Sequence, residues 1–131
     1  MKILRHSLYA CLICTTFIVT YAFAQAPIQD GLIGVVTKSN ERKASEQFVF
    51  ANMTTTRPFV TFPSGHGGES NKVFEDDELV VLFYAAEITG STETFYLNKK
   101  SKRFTLIEVG ALEARVINKE IKPTITFGVL K

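Results

Sequence analysis

The chain has 131 residues and a formal net charge of +2, a length that is sufficient for one domain with its own hydrophobic core. Lys2 and Arg5 account for the positive excess, so that residues 25–131 carry equal numbers of basic and acidic side chains. A formally neutral domain lacks the positive excess with which nucleic-acid binders displace counterions from phosphates. The composition therefore argues against nucleic acid as the partner.

Residues 1–24 have the pattern of a cleavable secretory signal peptide. A basic start precedes an uncharged run from Ser7 to Tyr21, and Ala22-Phe23-Ala24 places small residues at the two positions that signal peptidase recognises. The alternative is an uncleaved membrane anchor, since about 20 apolar residues can span a bilayer. We expect an exported protein, periplasmic or secreted, with no stable membrane insertion after signal cleavage.

Both cysteines, Cys11 and Cys14, lie inside this segment. Cleavage after Ala24 would leave residues 25–131 as a single exported β-rich domain without a thiol and therefore without a disulfide. Lipidation of Cys11 fits the pattern only loosely, because the preceding residues include a bulky tyrosine and the apolar run continues beyond the cysteine. A conventional hydrophobic core must then stabilise the domain.

Short apolar runs rich in β-branched and aromatic residues, each ended by turn-forming residues, indicate successive strands. The predicted strands are Leu32–Thr37, Gln47–Ala51, Phe59–Phe62, Glu78–Ile88, Thr94–Asn98, Arg103–Val109 and Thr124–Leu130. Between the first two, Lys38–Glu46 is either a loop or one short helix capped by Ser39 or Asn40. Ala111–Ile121 is ambiguous, because its alternation favours a strand and its ALEAR segment favours a helix.

Three segments carry more specific expectations. Glu78–Ile88 does not alternate, which is typical of a central strand covered on both faces, and it should form an antiparallel meander with the two strands that follow. Thr124–Leu130 alternates, which predicts a half-buried strand with one face in solvent. Pro63–Asn71 contains three glycines and a proline, which predicts a mobile loop.

The predicted fold is all-β: a small single-domain antiparallel barrel or sandwich of about seven or eight strands, possibly with one short helix. Nine of the phenylalanines belong to residues 25–131, and we expect them to fill the interior. Burial of each phenylalanine contributes about 1.5–3 kcal/mol, so the core is adequate without cross-links.

His66 is the only histidine after residue 24. A metal site needs about three or four ligands, and residues 25–131 offer no second histidine and no cysteine, so we predict neither a metal nor a cofactor. Ser64, Glu69 and Ser70 lie nearby in the sequence, but the neighbouring glycines would not hold a nucleophile rigidly. His66 is expected to be a loop residue with room for a binding contact.

Two charge clusters occupy predicted turns. Lys99, Lys100, Lys102 and Arg103 form a cationic hairpin tip, which could bind an acidic protein, a phosphate or an anionic glycan, or could simply keep the hairpin from pairing with other strands. The four acids of Glu75–Glu78 are contiguous and lack the glycine of a calcium loop, which favours a solvated turn. Asn52-Met53-Thr54 matches a glycosylation acceptor, whose use depends on the source.

We therefore predict an exported non-enzymatic binding module of the inhibitor, immunity or accessory-subunit type. It would engage a protein or an envelope component through its loops, with Lys99, Lys100, Lys102, Arg103 and His66 as candidate contacts. One alternative is a barrel that holds a small apolar ligand, which requires an interior too large for the side chains to fill. A further alternative is a hydrolase that uses His66 with a serine.

Overall fold

The computed structural model describes residues 30–110 and 123–131. The predicted signal peptide and the ambiguous segment Ala111–Ile121 lie outside the described residues. Within them the chain forms nine strands: β1 Leu32–Ser39, β2 Gln47–Ala51, β3 Phe59–Thr61, β4 Gly67–Glu69, β5 Asn71–Glu75, β6 Leu79–Ala86, β7 Ser91–Asn98, β8 Arg103–Val109 and β9 Thr124–Leu130. The described part of the chain holds no helix that could cross a membrane.

All nine strands belong to one antiparallel sheet, in the order β4-β3-β2-β1-β9-β8-β7-β6-β5. Strands β1–β4 form one meander and β5–β9 form another, and the pairing of β1 with β9 joins the two. The predicted all-β class and the meander of β6, β7 and β8 are thereby confirmed. The sheet curves into a nearly closed barrel.

The two ends of the strand order meet in one stretch of chain, Gly67–Glu75, which we call the seam. Only Ser70 separates β4 from β5, so the sheet returns to its starting point where the first meander becomes the second. The backbone N–H groups of Ser70 and Lys72 donate to the carbonyls of Pro58 and Thr56 at 2.7 and 3.0 Å. These bonds continue the pairing of the seam beyond β3.

A cluster of aromatic rings fills the barrel interior. Phe48, Phe50, Phe95 and Phe104 are fully or almost fully buried. The rings of Phe48 and Phe50 each meet those of Phe95 and Phe104 edge to face, with centroids 5.3–6.3 Å apart, a favourable geometry for aromatic pairs. The surrounding aliphatic side chains are Val36, Val60, Val80, Leu82, Leu97, Leu106 and Leu130.

The expectation that all nine phenylalanines fill the interior is wrong. The side chains of Phe59, Phe74 and Phe127 lie on the outer surface, with exposed fractions of 38%, 48% and 45%. Phe59 and Phe127 alternate with buried neighbours such as Val60 and Thr126, whereas β5, which carries Phe74, has no buried residue.

Strand β9 is half-buried, as its alternation predicted, but Ile125 and Phe127 point outward. Thr124, Thr126 and Gly128 are buried, whereas Ile125 and Phe127 are exposed. The Thr126 hydroxyl lies 2.8 Å from the hydroxyl of Ser39 and shares a hydrogen bond with it. At position 128 a larger residue would collide with the Phe104 ring, so steric fit and hydrogen bonding decide which face is buried.

The prediction of a mobile loop over Pro63–Asn71 is wrong for its second half, because Gly67–Glu69 forms β4 and pairs with β3. A β-carbon at Gly67 would collide with the carbonyl of Val60, so glycine permits the close approach of the two strands. Only the turn before β4 remains irregular. It is closed by a hydrogen bond of 2.7 Å from Phe62 N to His66 O.

The Lys38–Glu46 segment contains no helix beyond the end of β1. Ser39, the predicted cap, nonetheless accepts hydrogen bonds from the backbone N–H groups of Glu41 and Arg42 at 3.2 and 3.1 Å. A serine side chain can satisfy backbone donors in this way in a turn as well as at a helix start. Of the two alternatives for this segment, the loop is therefore confirmed and the short helix is wrong.

The strand registers give the barrel two ends with different turns. The turns around residues 40–46, 62–66 and 87–90 lie at one end, which we call the cleft end. The turns at residues 76–78 and 99–102 lie at the other, the hairpin end. Consequently His66 and the cationic cluster at Lys99–Arg103 occupy opposite ends of the molecule.

Candidate functional site

An open cleft of about 710 Å³ lies at the cleft end, between the seam side of the barrel and the end of β6. Phe62, Ser64, His66, Gly67, Gly68 and Glu69 line one side of it, and Tyr84, Ala85, Ala86, Glu87, Ile88, Thr89, Ser91 and Glu93 line the other. The cleft thus brings together parts of both meanders.

Two aromatic rings form the apolar part of the cleft. The ring centroids of Phe62 and Tyr84 are 5.1 Å apart, and the planes are inclined by 55°. The Phe62 ring also contacts Phe48 and Phe95 of the core, at 5.8 and 6.1 Å between centroids. A β-carbon at Gly68 would lie 2.9 Å from Cε2 of Tyr84, so the glycine lets the tyrosine ring lie against the seam backbone.

Glu93 supplies a buried carboxylate to this cleft. It shares the inward face of β7 with Phe95 and Leu97, and only 4% of the residue is exposed. Its Oε1 accepts a hydrogen bond of 2.8 Å from the Ser91 hydroxyl, whereas its buried Oε2 has no hydrogen-bond partner in the described residues. An unpaired buried carboxylate oxygen is costly, so Oε2 is a site at which a bound donor would be stabilising.

Burial raises the pKa of the Glu93 carboxyl above its ordinary value. The hydrogen bond from Ser91 opposes this effect, the negative charge of Glu108 adds to it, and the positive charge of Arg42 opposes it. Desolvation dominates because the charged form loses its water. A raised pKa in a cleft is a common property of functional carboxyls, although structural ones share it.

Arg42 neutralises the neighbouring acid and not Glu93. Glu108 stands directly opposite Glu93 in the β7–β8 register, and Arg42 donates to both of its oxygens at 2.6 and 3.0 Å. The guanidinium carbon lies 5.1 Å from the centroid of the Phe48 ring, and Nη1 is 3.8 Å from Glu46. Because these contacts hold the guanidinium at Glu108, Glu93 is the one of the two acids that has no direct counterion among the described residues.

His66, the histidine singled out by the sequence, lies in the same cleft but is exposed. Its expected neighbours bind elsewhere: the Ser70 hydroxyl donates to the Pro58 carbonyl at 2.8 Å, and Glu69 forms an ion pair of 3.3 Å with Arg57. Among the described residues no hydrogen bond joins the His66 ring to a serine. The histidine is therefore an exposed residue of the cleft, and its binding role stays a prediction.

The cationic cluster meets the acidic turn at the hairpin end. Lys99 lies 3.4 Å from Glu75, and Lys100 lies 3.4 Å from Glu78. Lys102 and Arg103 are exposed beside them. This pairing reduces the positive potential of the tip, and a binding role for Lys99, Lys100, Lys102 and Arg103 stays a prediction.

Sequence reasoning missed Glu93, Tyr84 and the Arg42–Glu108 pair. The signal for Glu93 is present in TETFYL, where the acid shares its alternation with Phe95 and Leu97 and therefore must face the core. The Arg42 pair joins residues 66 positions apart, which no local pattern reveals. No group of three or more His, Cys, Asp or Glu suited to a metal ion occurs in the residues that the structure describes.

Comparison with known proteins found no matching family model, no matching curated protein and no matching solved structure.

Proposed function

We propose that the protein is an exported, non-enzymatic binding module of the inhibitor, immunity or accessory-subunit type, and that it engages a protein or envelope component through the cleft end. The observation that carries the proposal is Glu93, a residue that lines a cleft of about 710 Å³ and whose buried Oε2 lacks a partner among the described residues. Export rests on residues 1–24. Mass spectrometry of the exported protein should find Gln25 at its N-terminus.

The composition of the cleft supports a binding role. Ligand sites typically have volumes of about 300–1,000 Å³, apolar walls and a few polar groups that fix orientation. Here Phe62 and Tyr84 provide the wall, and Ser91 and Glu93 provide the polar groups. A ligand of this site binds at the rim of the barrel.

The alternative of a small apolar ligand held inside the barrel is less well supported. It requires an unfilled interior, whereas four phenylalanine rings in mutual contact occupy the centre. The cleft also carries carboxylates at Glu87 and Glu93, which a wholly apolar ligand would leave without partners. These observations favour a ligand with at least one polar group.

The hydrolase alternative has one test of its own. The Ser91 hydroxyl is committed to Glu93 at 2.8 Å, which is an acid–hydroxyl contact and not the histidine–serine contact of an activated nucleophile. If hydrolysis of any ester or peptide substrate is detected, the alternative requires that His66→Ala abolish it. A hydrolytic activity that depends on His66 would contradict the non-enzymatic proposal.

Pull-down from envelope extract, with the mature domain as bait, tests which end binds. Ala86→Phe places a ring in the cleft, and a variant with Lys99, Lys100, Lys102 and Arg103 changed to Ala is the matched alteration at the hairpin end. We expect a partner that the wild type and the hairpin variant retain and that Ala86→Phe loses. Loss only with the hairpin variant would assign binding to the cations, and equal capture by all three would overturn the proposal.

A further inference from the structure

We infer that the cleft binds an organic cation, whose ammonium or guanidinium group donates to Glu93 Oε2 while its hydrocarbon part packs on the rings of Phe62 and Tyr84. The inference rests on the proposed function for the use of the cleft. It adds the chemical class of the group that is bound.

The charge of the cleft favours a cation. Glu69, Glu87 and Glu93 line it, and Arg57 neutralises only Glu69. His66 is the one basic side chain among the described lining residues. Because this excess is negative, an anionic ligand would be repelled and a cationic one attracted.

The unpaired oxygen of Glu93 requires that the ligand carry a hydrogen-bond donor. An ionised carboxylate only accepts hydrogen bonds, and Ser91 already occupies Oε1. A neutral hydroxyl could donate to Oε2, but only a cation also offsets the buried negative charge, because Arg42 is bound to Glu108 and no other cation of the described residues forms an ion pair with Glu93. Charge-assisted hydrogen bonds of this type are about twice as strong as neutral ones.

The aromatic wall suits the remainder of such a ligand. Cations are attracted to the faces of Tyr and Phe rings within about 6 Å of the centroid, and hydrocarbon next to the charged group can bury apolar surface on the same rings. Phe62 and Tyr84 lie beside each other at 5.1 Å, in the cleft that Glu93 also lines. A compact ligand with a charged head and an apolar body matches both groups.

Titration calorimetry with the mature domain tests the charge requirement. The probe is phenethylammonium, with 2-phenylethanol and 3-phenylpropionate as neutral and anionic compounds of similar size. We expect the ammonium to bind at least about tenfold more tightly than either. Equal or tighter binding of the anion or the alcohol would overturn the inference.

Matched variants test whether Glu93 is the residue that binds the cation. Glu93→Gln keeps the shape and one acceptor but removes the charge, and should weaken phenethylammonium binding by about tenfold or more. Asp77→Asn removes an exposed carboxylate at the opposite, hairpin end of the barrel and should change affinity by less than about threefold, since distant exposed charges contribute little. Native-like NMR spectra of both variants confirm that they fold, and an equal effect of the two substitutions would contradict a specific contact at Glu93.

The source of the cation is settled by two further probes. Blocked tripeptides with a central lysine or arginine represent a basic side chain of a protein partner, and phenethylammonium represents a free amine. Tighter binding of a peptide identifies a protein side chain as the ligand, and tighter binding of the amine identifies a small molecule. Failure of all three to bind overturns the inference.

The pH dependence identifies the group that titrates. Cation affinity should fall as the pH is lowered through the titration of Glu93, because the protonated carboxyl no longer offsets charge. The other ionisable groups around it are Glu108, Arg42, Tyr84, His66, Glu69 and Glu87. The pH dependence should persist in His66→Ala and disappear in Glu93→Gln, and the reverse result would overturn the assignment.

Failure of this inference is distinguishable from failure of the proposed function. If no cation binds but Ala86→Phe still abolishes capture of the envelope partner, the cleft is the binding site and its ligand belongs to another class. If Ala86→Phe has no effect on capture either, the proposed function itself is wrong.

Discussion

Gly128 faces the ring of Phe104 across the β8–β9 pair, and the two residues are direct partners in the register. A β-carbon at position 128 would collide with that ring and with the carbonyl of Val35. The missing side chain on β9 is therefore what allows a phenylalanine to occupy the centre of the barrel.

Gly128→Ala should lower the free energy of unfolding by about 3 kcal/mol, since overpacking forces a ring or the backbone to move. Gly65→Ala is the control, because Gly65 has a φ of +84° but no atom within 4 Å of an added β-carbon. It should cost about 1 kcal/mol through backbone strain alone. Urea unfolding measures both, and equal losses would show that the collision at Gly128 is relieved without cost.

Phe104→Ala and Phe127→Ala separate the inner and outer faces of the sheet. Phe104 packs on Phe48 and Phe50, so its loss should cost about 3–5 kcal/mol. Phe127 is 45% exposed, and its truncation should cost less than about 1.5 kcal/mol because much less apolar area is lost. A larger effect at Phe127 in chemical denaturation would indicate that its face is covered in solution.

Glu93→Gln should stabilise the protein near neutral pH. Because the pKa of Glu93 is raised in the folded state, the stability that its proton contributes is complete below the ordinary pKa and is lost as the pH rises through the raised value. Glutamine removes this loss, so the variant should have the higher melting temperature at pH 7. At pH 4 or below, about the ordinary pKa of a glutamate, the two proteins should differ little.

Glu108→Gln is the matched substitution on the neighbouring strand and should act in the opposite direction. It removes the charge and one of the two oxygens that accept from Arg42 at 2.6 and 3.0 Å, and should cost about 2 kcal/mol at neutral pH. If both glutamine variants shift the melting temperature in the same direction, the conclusion that Arg42 stabilises Glu108 but not Glu93 is refuted.

Asp30 and Asp76 should contribute to loss of stability in acid. The pKa of Asp30 is lowered chiefly by the hydroxyl and backbone of Thr54, which donate at 2.6 and 3.0 Å. The pKa of Asp76 is lowered chiefly by the backbone N–H groups of Leu79 and Glu78. Their stabilisation is present above the ordinary pKa and is lost as the pH falls through the lowered values.

The double variant Asp30→Asn, Asp76→Asn tests this expectation. Its stability should depend less on pH between about pH 5 and pH 2 than that of the wild type, since these groups no longer titrate. Melting temperature measured across that range is the readout. Parallel curves for the two proteins would show that neither carboxylate contributes through its pKa.

Local patterns predicted the elements of this fold better than their orientation. Alternation located β9 correctly, but it could not show that Thr126 bonds Ser39 and that Gly128 makes room for Phe104. Glycine content argued against a strand at Gly67–Glu69, whereas close backbone approach requires glycine there. The orientation of β9 depends on partners far away in the sequence, and the strand at Gly67–Glu69 depends on its pairing with β3.

The candidate site shows the same division. His66 was located in a turn from its glycines, and it does lie at the mouth of the cleft. Glu93 was hidden within an ordinary strand, and its importance depends on Arg42 binding Glu108 instead. A sequence pattern identifies charged residues, but it does not show which of them lack a counterion.

The seam gives the cleft a mechanical role. Phe62, Gly67 and Gly68 belong to the first meander, whereas Tyr84, Ser91 and Glu93 belong to the second. An occupant therefore touches both halves of the barrel beside the seam, where β4 runs into β5 through Ser70. Binding energy then opposes separation of the halves, because a ligand that favours the closed form stabilises it. Slower amide hydrogen exchange in β4 on ligand binding would show that the ligand holds the two halves of the barrel together.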